Sequence, residues 1–426
     1  MWPRLLARLL VVVPLVLASS VTDLSFAEAD DREAVPLEEL RLLAEVFSRI
    51  KAHYVDEVDD AQLLEDAIRG MLDGLDPHSS FLGSDAYDDL REDTRGEFGG
   101  LGLEVGMEDG VVRVIAPIDD TPAKKAGIKA RDYIIRIDGK PLKGMSLSEA
   151  VEMMRGRPGS RIVLTIMRDG VKNPFDVKVK RAVIRVKSVK SRVLDGNYGY
   201  VRIASFQERT PADLLKAINR LRRKADGNLK GIILDLRNNP GGILDAAVAV
   251  SDAFLRSGVI VSAKGRTDES KLQFDAQPDD IVDGAPIVVL VDEGSASASE
   301  IVAGALQDHS RAVIMGRTTF GKGSVQTIVP VGRQAALKIT TARYYTPSGK
   351  SIQATGIVPD IPLAPVRIEV EESGVDAVTE AKLEGHLISD EASSRKLDEE
   401  TARLVAEDYA LGEALNLLRG LAILKK

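Results

Sequence analysis

The chain has 426 residues, enough for two or three domains with a substantial buried core. Hydrophobic residues make up 44% of the chain and charged residues 29%, which disfavours both a wholly disordered protein and a polytopic membrane protein. A net charge of -8 with no basic cluster argues against nucleic-acid binding, and the lack of cysteine excludes disulfides, thiolate nucleophiles and cysteine-ligated metals.

The N-terminal residues are typical of a secretory signal. Arg4 and Arg8 precede an uncharged apolar run at 9–18, too short to span about 30 Å of hydrocarbon comfortably but suited to a signal peptide. Small residues up to Ala27 offer cleavage points, so residues 1–27 are the predicted signal peptide. An uncleaved, membrane-associated anchor is the alternative. Both interpretations place the protein outside the cytoplasm, for example in a periplasm.

Residues 28–96 are predicted to form an N-terminal helical segment. In the first helix, apolar residues recur at spacings of three and four, which places them on one face. They are Leu40, Leu43, Phe47, Ile50 and Tyr54. Asp60 is the predicted cap of a second amphipathic helix, which ends before Pro77.

From residue 97 to residue 181 the pattern changes to short strand-like runs around one helical segment, SLSEAVEMMRG, which predicts a small separate module. Residues 182–365 alternate apolar strands such as GIILDLR, PIVVLVD and RAVIMG with helices. Near-continuous apolar strands separated by helices predict a parallel sheet covered on both faces, an α/β core.

Residues 366–426 begin with an acidic stretch and end in a predicted helix with an apolar stripe. The stripe comprises Leu404, Leu411, Leu415, Leu418 and Ala422. It must pack either on the chain's own core or on another subunit, so this tail is a candidate dimerisation segment.

Ser297, in the segment DEGSASASEIVAGALQDH, is predicted to lie where a buried strand passes into a helix. A hydroxyl at a helix N-terminus lies near free N–H groups and the positive end of the helix dipole, which suits an attacking serine and the oxyanion it creates. Ser297 and Glu300 also match a capping box, and this segment alone favours an ordinary cap over a nucleophile.

A serine nucleophile needs a base. Of the four histidines, His309 lies too far along the same helix, and the others have no evident supporting acid or metal-ligand pattern. Lys322, between two glycines in GRTTFGKGSVQ, could serve if burial lowered its pKa enough to leave a neutral amine. Gln326, four residues on, could accept a hydrogen bond from that amine and orient it. A solvated loop lysine is the alternative.

The segment GRTTFGK also has the spacing of a phosphate-binding loop, but Gly323 stands where a magnesium-binding hydroxyl is needed, so nucleotide binding is disfavoured. In a third segment, DLRNNPGGI, Gly241 and Gly242 can present backbone N–H groups and, with the N–H of Ala298, would form an oxyanion hole. A plain strand-to-helix turn is the alternative.

Seven segments in order resemble the motifs of the carboxyl-terminal processing (tail-specific) protease family of serine peptidases, and the match covers most of the chain. They are YVDEVDDAQLLEDAIRGMLDGLDPHSSFL, FGGLGLEVG, DTPAKKAGIKARDYIIRIDG, ILDLRNNPGG, GSASASEIVAGALQD, GRTTFGKGSVQT and LKITTARYYTPSGKSIQATGIVPDI. The resemblance implies a ClpP/crotonase-like parallel-sheet core with an inserted PDZ domain.

The resemblance also assigns residues to roles. It implies Ser297 as nucleophile, Lys322 as general base and Gln326 as the residue that orients the lysine, with the oxyanion-hole glycine within Gly241-Gly242. Glu300, Asp308 and Thr319 match positions that the family uses around its site. Asp308 has been cast there as a third triad member, although its place on the helix favours a structural role.

The middle module resembles the family's PDZ domain, in which a glycine-rich loop binds the free carboxylate of a peptide. The resemblance implies that Leu101, Gly102 and Leu103 bind the substrate C-terminus, that Val151 and Met154 line its side-chain pocket, and that Arg168 is a candidate relay to the active site. A glycine-rich hairpin in a structural module is the alternative. Ala130-Arg131-Asp132 departs from the Gly-Asp common in relatives, which leaves the geometry of that turn open.

The sequence therefore predicts an exported serine endopeptidase that holds proteins by their C-termini and cleaves them through an acyl-enzyme, without metal or cofactor. The resemblance suggests cell-wall hydrolases or other envelope proteins as substrates. Homo-oligomerisation through the terminal helices and a delivery adaptor are further expectations. The competing hypothesis is a non-catalytic peptide-binding scaffold.

Overall fold

A computed structural model describes most of the chain. The described residues are 36–366, apart from 109 and 333, and 404–424. The predicted signal peptide and most of the predicted tail lie outside them. The chain divides into two compact units, Met1–Ile68 and Arg69–Lys426. Within the described ranges, no helix is both long enough and apolar enough to cross a bilayer.

The first unit contains helix α1 (Leu37–His53) and the beginning of α2 (Asp60–Asp73), which continues into the second unit. The amphipathic pattern correctly predicted α1, none of whose residues is buried. Asp59, and not Asp60, caps α2, because its carboxylate accepts the Gln62 N–H at 2.9 Å. Either of two adjacent aspartates suits a cap, so sequence alone placed it one residue late.

The middle module is a small antiparallel β structure with the strand order β3-β4-β5-β7-β8, and β6 pairs with β5. The elements from the start of the second unit to the end of this module are β1 (Ser80–Leu82), α3 (Ser84–Arg95), β2 (Glu97–Gly100), β3 (Leu103–Glu108), β4 (Val111–Pro117), α4 (Pro122–Lys125), β5 (Tyr133–Ile137), β6 (Lys140–Pro141), α5 (Leu147–Met154), β7 (Arg161–Met167) and β8 (Phe175–Lys180). Its strands and α5 enclose a hydrophobic core of their own.

The turn before β5 contains Ala130-Arg131-Asp132, and its geometry shows where a glycine would be accommodated more easily. Arg131 has a φ of +70°, a conformation that glycine adopts at less cost than residues with a Cβ. The next residue, Asp132, is buried and pairs with Arg168, whose Nε lies 2.6 Å from its Oδ1. An arginine therefore stands at a left-handed position that a glycine would fill without strain.

The remaining elements supply the strands of two further sheets, the helices that cover the larger one, and a strand that pairs with β2. They are β9 (Ala182–Arg185), β10 (Val189–Leu194), β11 (Tyr198–Ile203), α6 (Thr210–Lys224), β12 (Gly231–Asp235), α7 (Leu244–Asp252), β13 (Val259–Gly265), a 3-10 turn (Asp268–Ser270), β14 (Leu272–Asp275), β15 (Ile287–Val291), α8 (Ala298–Asp308), β16 (Ala312–Gly316), β17 (Ser324–Val331), β18 (Ala335–Tyr345), β19 (Ile361–Pro362) and α9 (Tyr409–Leu424).

The larger sheet has the order β10-β11-β12-β15-β16-β19, parallel except for the β10–β11 pair. Helices α6, α7 and α8 cover one face and α9 covers the other, as predicted for a two-sided α/β core. Leu411, Leu415 and Leu418 of α9 are buried against the sheet. The apolar stripe of the tail therefore packs on the chain's own core, the first of the two alternatives.

A second, antiparallel sheet was not predicted. Its order is β1-β18-β13-β14, and β17 also pairs with β18. Strand β1 contributes three residues from a segment far away in sequence, and it places residues 76–79 beside β18. This sheet positions Gln326, on β17, and Thr340, on β18, opposite each other.

Candidate active site

Ser297 immediately precedes α8, at the end of the turn that follows β15. Its φ of +53° and ψ of -111° are unusual for a residue with a side chain, and such strain of roughly 1–3 kcal/mol is characteristic of functional sites. The flanking serines are buried and bonded to the main chain: Ser295 Oγ donates to Leu236 O at 2.8 Å, and Ser299 Oγ donates to Asn239 O at 2.9 Å. Ser297 is the only one of the three that is partly exposed.

The carboxylate of Glu300 joins the nucleophile turn to the lysine loop. Its Oε2 accepts the backbone N–H of Ser297 at 2.7 Å and that of Lys322 at 2.9 Å. Its Oε1 accepts the Gly321 N–H at 2.7 Å and the Thr319 hydroxyl at 2.5 Å. Glu300 is fully buried, and these four donors compensate for its desolvation. We call this arrangement of Glu300 and its four donors the carboxylate clamp. The sequence analysis had given two of its members, Glu300 and Thr319, only supporting roles.

Gly241 lies against the nucleophile. A Cβ on Gly241, whose φ is +104°, would lie 2.9 Å from Ser297 Cβ and 3.0 Å from Ala298 N, so this close approach requires glycine. A Cβ on Gly242, whose φ is +144°, would collide with Phe206 O. Both glycines of the predicted oxyanion loop are therefore required by backbone contacts.

The hydrogen bonds distinguish the two glycines. The Gly241 N–H donates to Asn239 Oδ1 at 2.9 Å, and the Gly241 carbonyl accepts the Phe206 N–H at 2.8 Å. Across the described chain, the N–H groups of Gly242 and Ala298 have no acceptor. These two N–H groups therefore have no protein acceptor, whereas Gly241 makes the close approach to Ser297.

Lys322 is half-buried, and burial is the main cause that lowers the pKa of its amine. The positive charge of Lys338 also lowers it, whereas the negative charges of Asp76 and Glu300 oppose the shift. Gln326 Nε2 donates to Ser324 Oγ at 2.8 Å and makes a longer contact of 3.4 Å with Thr340 Oγ1. Within the part of the chain described, no hydrogen bond joins the amine to Ser297 Oγ or to Gln326.

The surroundings of Lys322 include residues that sequence analysis missed. His78 is close enough that burial and then the charge of Lys322 lower its pKa, although its neighbour Asp76 opposes this. Asp76 therefore lies beside His78, a histidine for which the sequence had shown no supporting acid. The motif LDPHSS was the available signal, but its distance in sequence from Lys322 hid the contact. His309 caps α8 and its Nε2 lies 2.7 Å from Val259 O, which agrees with its exclusion as a base.

Asp308 is the last residue of α8, about 16 Å along the helix from Ser297 at 1.5 Å per residue. Its Oδ2 accepts the Ser348 N–H at 2.9 Å. Burial opposes its ionisation, but hydrogen bonds from Thr346 and Ser348 outweigh burial and hold the pKa of Asp308 below its ordinary value. These contacts support the structural role rather than a place in a triad.

The five residues assigned to peptide binding surround one groove of about 90 Å³ in the middle module, together with Phe98 and Arg155 among others. The Leu101 carbonyl accepts from Ala123 N–H, and the Gly102 carbonyl accepts from Ile118 N–H, each at 2.9 Å. In a trans peptide the C=O and the following N–H point in opposite directions, so the N–H groups of Gly102 and Leu103 point away from these partners. They are the donors that could meet a carboxylate.

Arg168 stays within the middle module. Its guanidinium makes two hydrogen bonds to Asp132, donates to Gly127 O at 2.9 Å and lies over the ring of Phe175. In the described structure these contacts stabilise the module and give no support to a relay, which stays a prediction. A different arginine of the module, Arg155 at the end of α5, pairs with Asp89 of α3 at 2.6 Å.

Among the described residues, no cluster of three or more His, Cys, Asp or Glu side chains could hold a metal ion.

Comparison with known proteins gives three family-model matches. The model of peptidase family S41 matches residues 197–363, the PDZ domain model matches residues 99–179, and the model of the activating protease CtpB N-terminal domain matches residues 16–86. Among solved structures, a photosystem II D1 C-terminal processing protease is 32% identical, with a TM-score of 0.46, and covers 79% of this chain and 95% of its own.

Two relatives cover most of the chain. A carboxy-terminal-processing protease of Bartonella bacilliformis is 48% identical over 95% of this chain and 92% of its own length. The carboxy-terminal processing protease CtpA of Bacillus subtilis is 39% identical over 75% of this chain and 68% of its own length. The chain belongs to the carboxy-terminal processing proteases of peptidase family S41 and is a serine-type peptidase with a PDZ domain.

Proposed function

We propose that this peptidase cleaves exported proteins by a Ser-Lys mechanism after its PDZ domain binds their C-termini. The observation that carries the mechanism is the carboxylate clamp. By accepting both the Ser297 N–H and the Lys322 N–H, Glu300 ties the nucleophile and the amine to one buried group. The lowered pKa of Lys322 increases the neutral fraction of the amine at any given pH, as a general base requires.

In the proposed reaction, Ser297 Oγ attacks the carbonyl carbon of the scissile bond while the neutral amine of Lys322 takes the hydroxyl proton. The oxyanion forms beside the free N–H groups of Gly242 and Ala298. Lys322 then gives its proton to the leaving amine as the C–N bond breaks, which leaves an acyl-enzyme. In the second half, the amine takes a proton from water as the water oxygen attacks the ester carbonyl. The protonated amine then returns this proton to Ser297 Oγ as the ester C–O bond breaks and the product acid leaves.

The amine and hydroxyl must make a hydrogen bond for this reaction. Catalytic hydrogen bonds are often long or absent before substrate binds and form in the complex. The clamp holds the main chains of both residues, and the proposal requires a rotamer of the flexible Lys322 side chain that brings its amine to Ser297 Oγ.

Recognition of the substrate tail would take place in the PDZ groove. The N–H groups of Gly102 and Leu103 would bind the terminal carboxylate, and the last side chain would enter the pocket between Val151 and Met154. A groove of about 90 Å³ suits a small apolar terminal residue.

The test compares an unstructured fluorogenic peptide ending in alanine, as its free acid and as its C-terminal amide. Because each charge-assisted hydrogen bond to the carboxylate contributes about 1.5–3 kcal/mol, we expect kcat/KM to fall at least about tenfold for the amide. Ser297→Ala should bind the free acid without cleaving it. Equal cleavage of acid and amide would contradict tail recognition, and cleavage by Ser297→Ala would contradict the nucleophile.

Gly102→Ala should selectively weaken use of the free acid, because the new Cβ would collide with Thr121. Gly127→Ala is the matched control, since Gly127 has nearly the same φ, +79° against +78°, but open space around its Cβ position.

Export is the second part of the proposal and is supported by the signal-like sequence of residues 1–27. Two fusions carry a reporter enzyme that is active only outside the cytoplasm. In one the reporter follows residue 27, and in the other it follows the full-length Ser297→Ala protein. We expect the reporter to be active in both. Comparing the C-termini of envelope proteins, cell-wall hydrolases among them, between cells with wild-type and Ser297→Ala protein should reveal substrates. An inactive reporter in both fusions would refute export.

A further inference from the structure

Asp76 is held in a tight turn between α2 and β1, beside the active site. Its Oδ1 accepts the backbone N–H groups of His78 at 2.8 Å and Ser79 at 3.0 Å, and its Oδ2 accepts the Ser79 hydroxyl at 2.8 Å. Burial opposes its ionisation, but the hydrogen bonds from Ser79, His78 and Thr340 outweigh burial and hold the pKa of Asp76 below its ordinary value. A carboxylate is therefore present at neutral pH.

Thr340 connects this carboxylate to Gln326. Strand β1 pairs with β18 so that Ser79 Oγ accepts the Thr340 N–H at 3.2 Å, and the Thr340 hydroxyl reaches Asp76 Oδ1, also at 3.2 Å. Across the β17–β18 ladder Thr340 lies opposite Gln326, whose Nε2 is 3.4 Å from Thr340 Oγ1. A register shift at Val325/Gln326 interrupts the ladder there, and such bulges redirect side chains.

The polarity of this chain is determined by Asp76. An ionised carboxylate only accepts hydrogen bonds, so the single hydroxyl proton of Thr340 is used on Asp76. Thr340 Oγ1 can then only accept, which requires that Gln326 present its NH₂ group and not its carbonyl oxygen. Ser324 Oγ, at 2.8 Å from the same Nε2, occupies the second N–H. The carbonyl oxygen of Gln326 is thereby left for another donor.

We propose that Asp76 is a positioning residue of the peptidase, acting through Thr340 to hold the Gln326 amide in the one orientation that offers its oxygen to the Lys322 amine. This inference rests on the proposed Ser-Lys mechanism. With one N–H of the amine bound by Gln326, the lone pair of the neutral amine is directed to the Ser297 hydroxyl. Asp76 touches neither the substrate nor the reacting atoms.

The charge of Asp76 provides a separate readout. The charged or titratable groups that act on Lys322 are Lys338 on β18, Glu300 on α8, and Asp76 and His78 in the turn before β1. Asp76 favours the protonated amine, so removal of its charge lowers the pKa of Lys322 further. The acid limb of kcat/KM should then move to lower pH, an effect that a merely structural role would not produce.

Three variants test the chain of contacts on an unstructured peptide substrate. Asp76→Asn should lower kcat about tenfold, which corresponds to the loss of one orienting hydrogen bond, and should move the acid limb to lower pH. Thr340→Val keeps the charge but removes the hydroxyl, so kcat should fall by a similar factor with the acid limb in place. Thr340→Ser restores the hydroxyl and should recover most of the wild-type kcat.

Asp73→Asn, which removes an exposed charge three residues earlier, is the matched control and should behave as wild type. Active-site titration with an acylating inhibitor gives the folded, competent fraction of each variant, so loss of stability is separated from loss of kcat. The proposal is overturned if Asp76→Asn keeps the wild-type kcat and acid limb, or if Thr340→Val keeps the wild-type kcat. Lys322→Ala in the same assay is independent: if it stays active, the Ser-Lys mechanism itself fails.

Discussion

Lys322→Ala is expected to abolish peptide hydrolysis, with kcat falling by about 10⁴-fold to 10⁶-fold, the range seen when a serine peptidase loses one member of its catalytic triad. Ser297→Ala should lose as much, because neither group works without the other. The double variant should be no worse than either single variant, since residues that act as a unit are strongly non-additive. Initial-rate and burst kinetics on one unstructured peptide measure all three.

Lys322→Arg separates charge from base function. A guanidinium keeps the positive charge and much of the bulk but cannot be deprotonated in a protein, so this variant should be as inactive as Lys322→Ala. Substantial turnover by Lys322→Arg would show that the lysine acts only as a cation and would contradict its role as general base.

The same amine sets the pH dependence. Only the neutral form accepts a proton, so activity should be lost as the pH falls through the pKa of Lys322, which burial and Lys338 place below that of an ordinary lysine. Lys338→Gln removes a positive charge that lowers this pKa, so the acid limb should move to higher pH. If the acid limb moved in neither Lys338→Gln nor Asp76→Asn, it would report the titration of a group other than Lys322.

Local pattern predicted the parts of the fold in which neighbours in sequence are also neighbours in space. The apolar runs that became β12, β15 and β16 and the helices between them required a two-sided parallel sheet. The end of a buried strand and a capping signal correctly placed Ser297 at the start of a helix. On their own they favoured an ordinary cap, and the role of nucleophile came from the resemblance. The Glu300 carboxylate accepts the Ser297 N–H, a contact that is compatible with both hypotheses.

Contacts between distant segments could not be predicted in the same way. Asp76 and Thr340 meet only because β1 adds to the edge of β18, and no periodicity within either segment records that pairing. Likewise, the tail's apolar stripe indicated that it must pack on something, but not on what. Only the structure shows that it packs against Ile233 and Leu290 of the chain's own sheet. The difference between Gly241 and Gly242 lies in the hydrogen-bond partner of each N–H, which a Gly-Gly motif does not contain.

Glu300→Gln should damage both stability and activity, because one neutral amide cannot replace a carboxylate that accepts four hydrogen bonds. The amide oxygen can serve the two donors on one side of the clamp, but its NH₂ group then faces at least one backbone N–H donor on the other. If it faces the N–H groups of Ser297 and Lys322, the geometry of the nucleophile and base is lost. If it faces Thr319 and Gly321, the Lys322 N–H keeps its acceptor but the buried Gly321 N–H loses its own.

Each buried donor left without an acceptor costs about 1–3 kcal/mol, so Glu300→Gln should lower the free energy of unfolding by at least that amount and kcat by about 100-fold or more. Thermal melts and active-site titration measure the two effects. Glu293→Gln is the matched control: Glu293 lies in the turn between β15 and α8, and its side chain is 62% exposed and pairs with Arg317 at the surface. Exposed pairs contribute about 0–1 kcal/mol, so this variant should stay close to wild type. If Glu300→Gln melted and turned over like Glu293→Gln, the clamp would not be what holds Ser297 and Lys322 together, and the argument for their joint action would lose its structural basis.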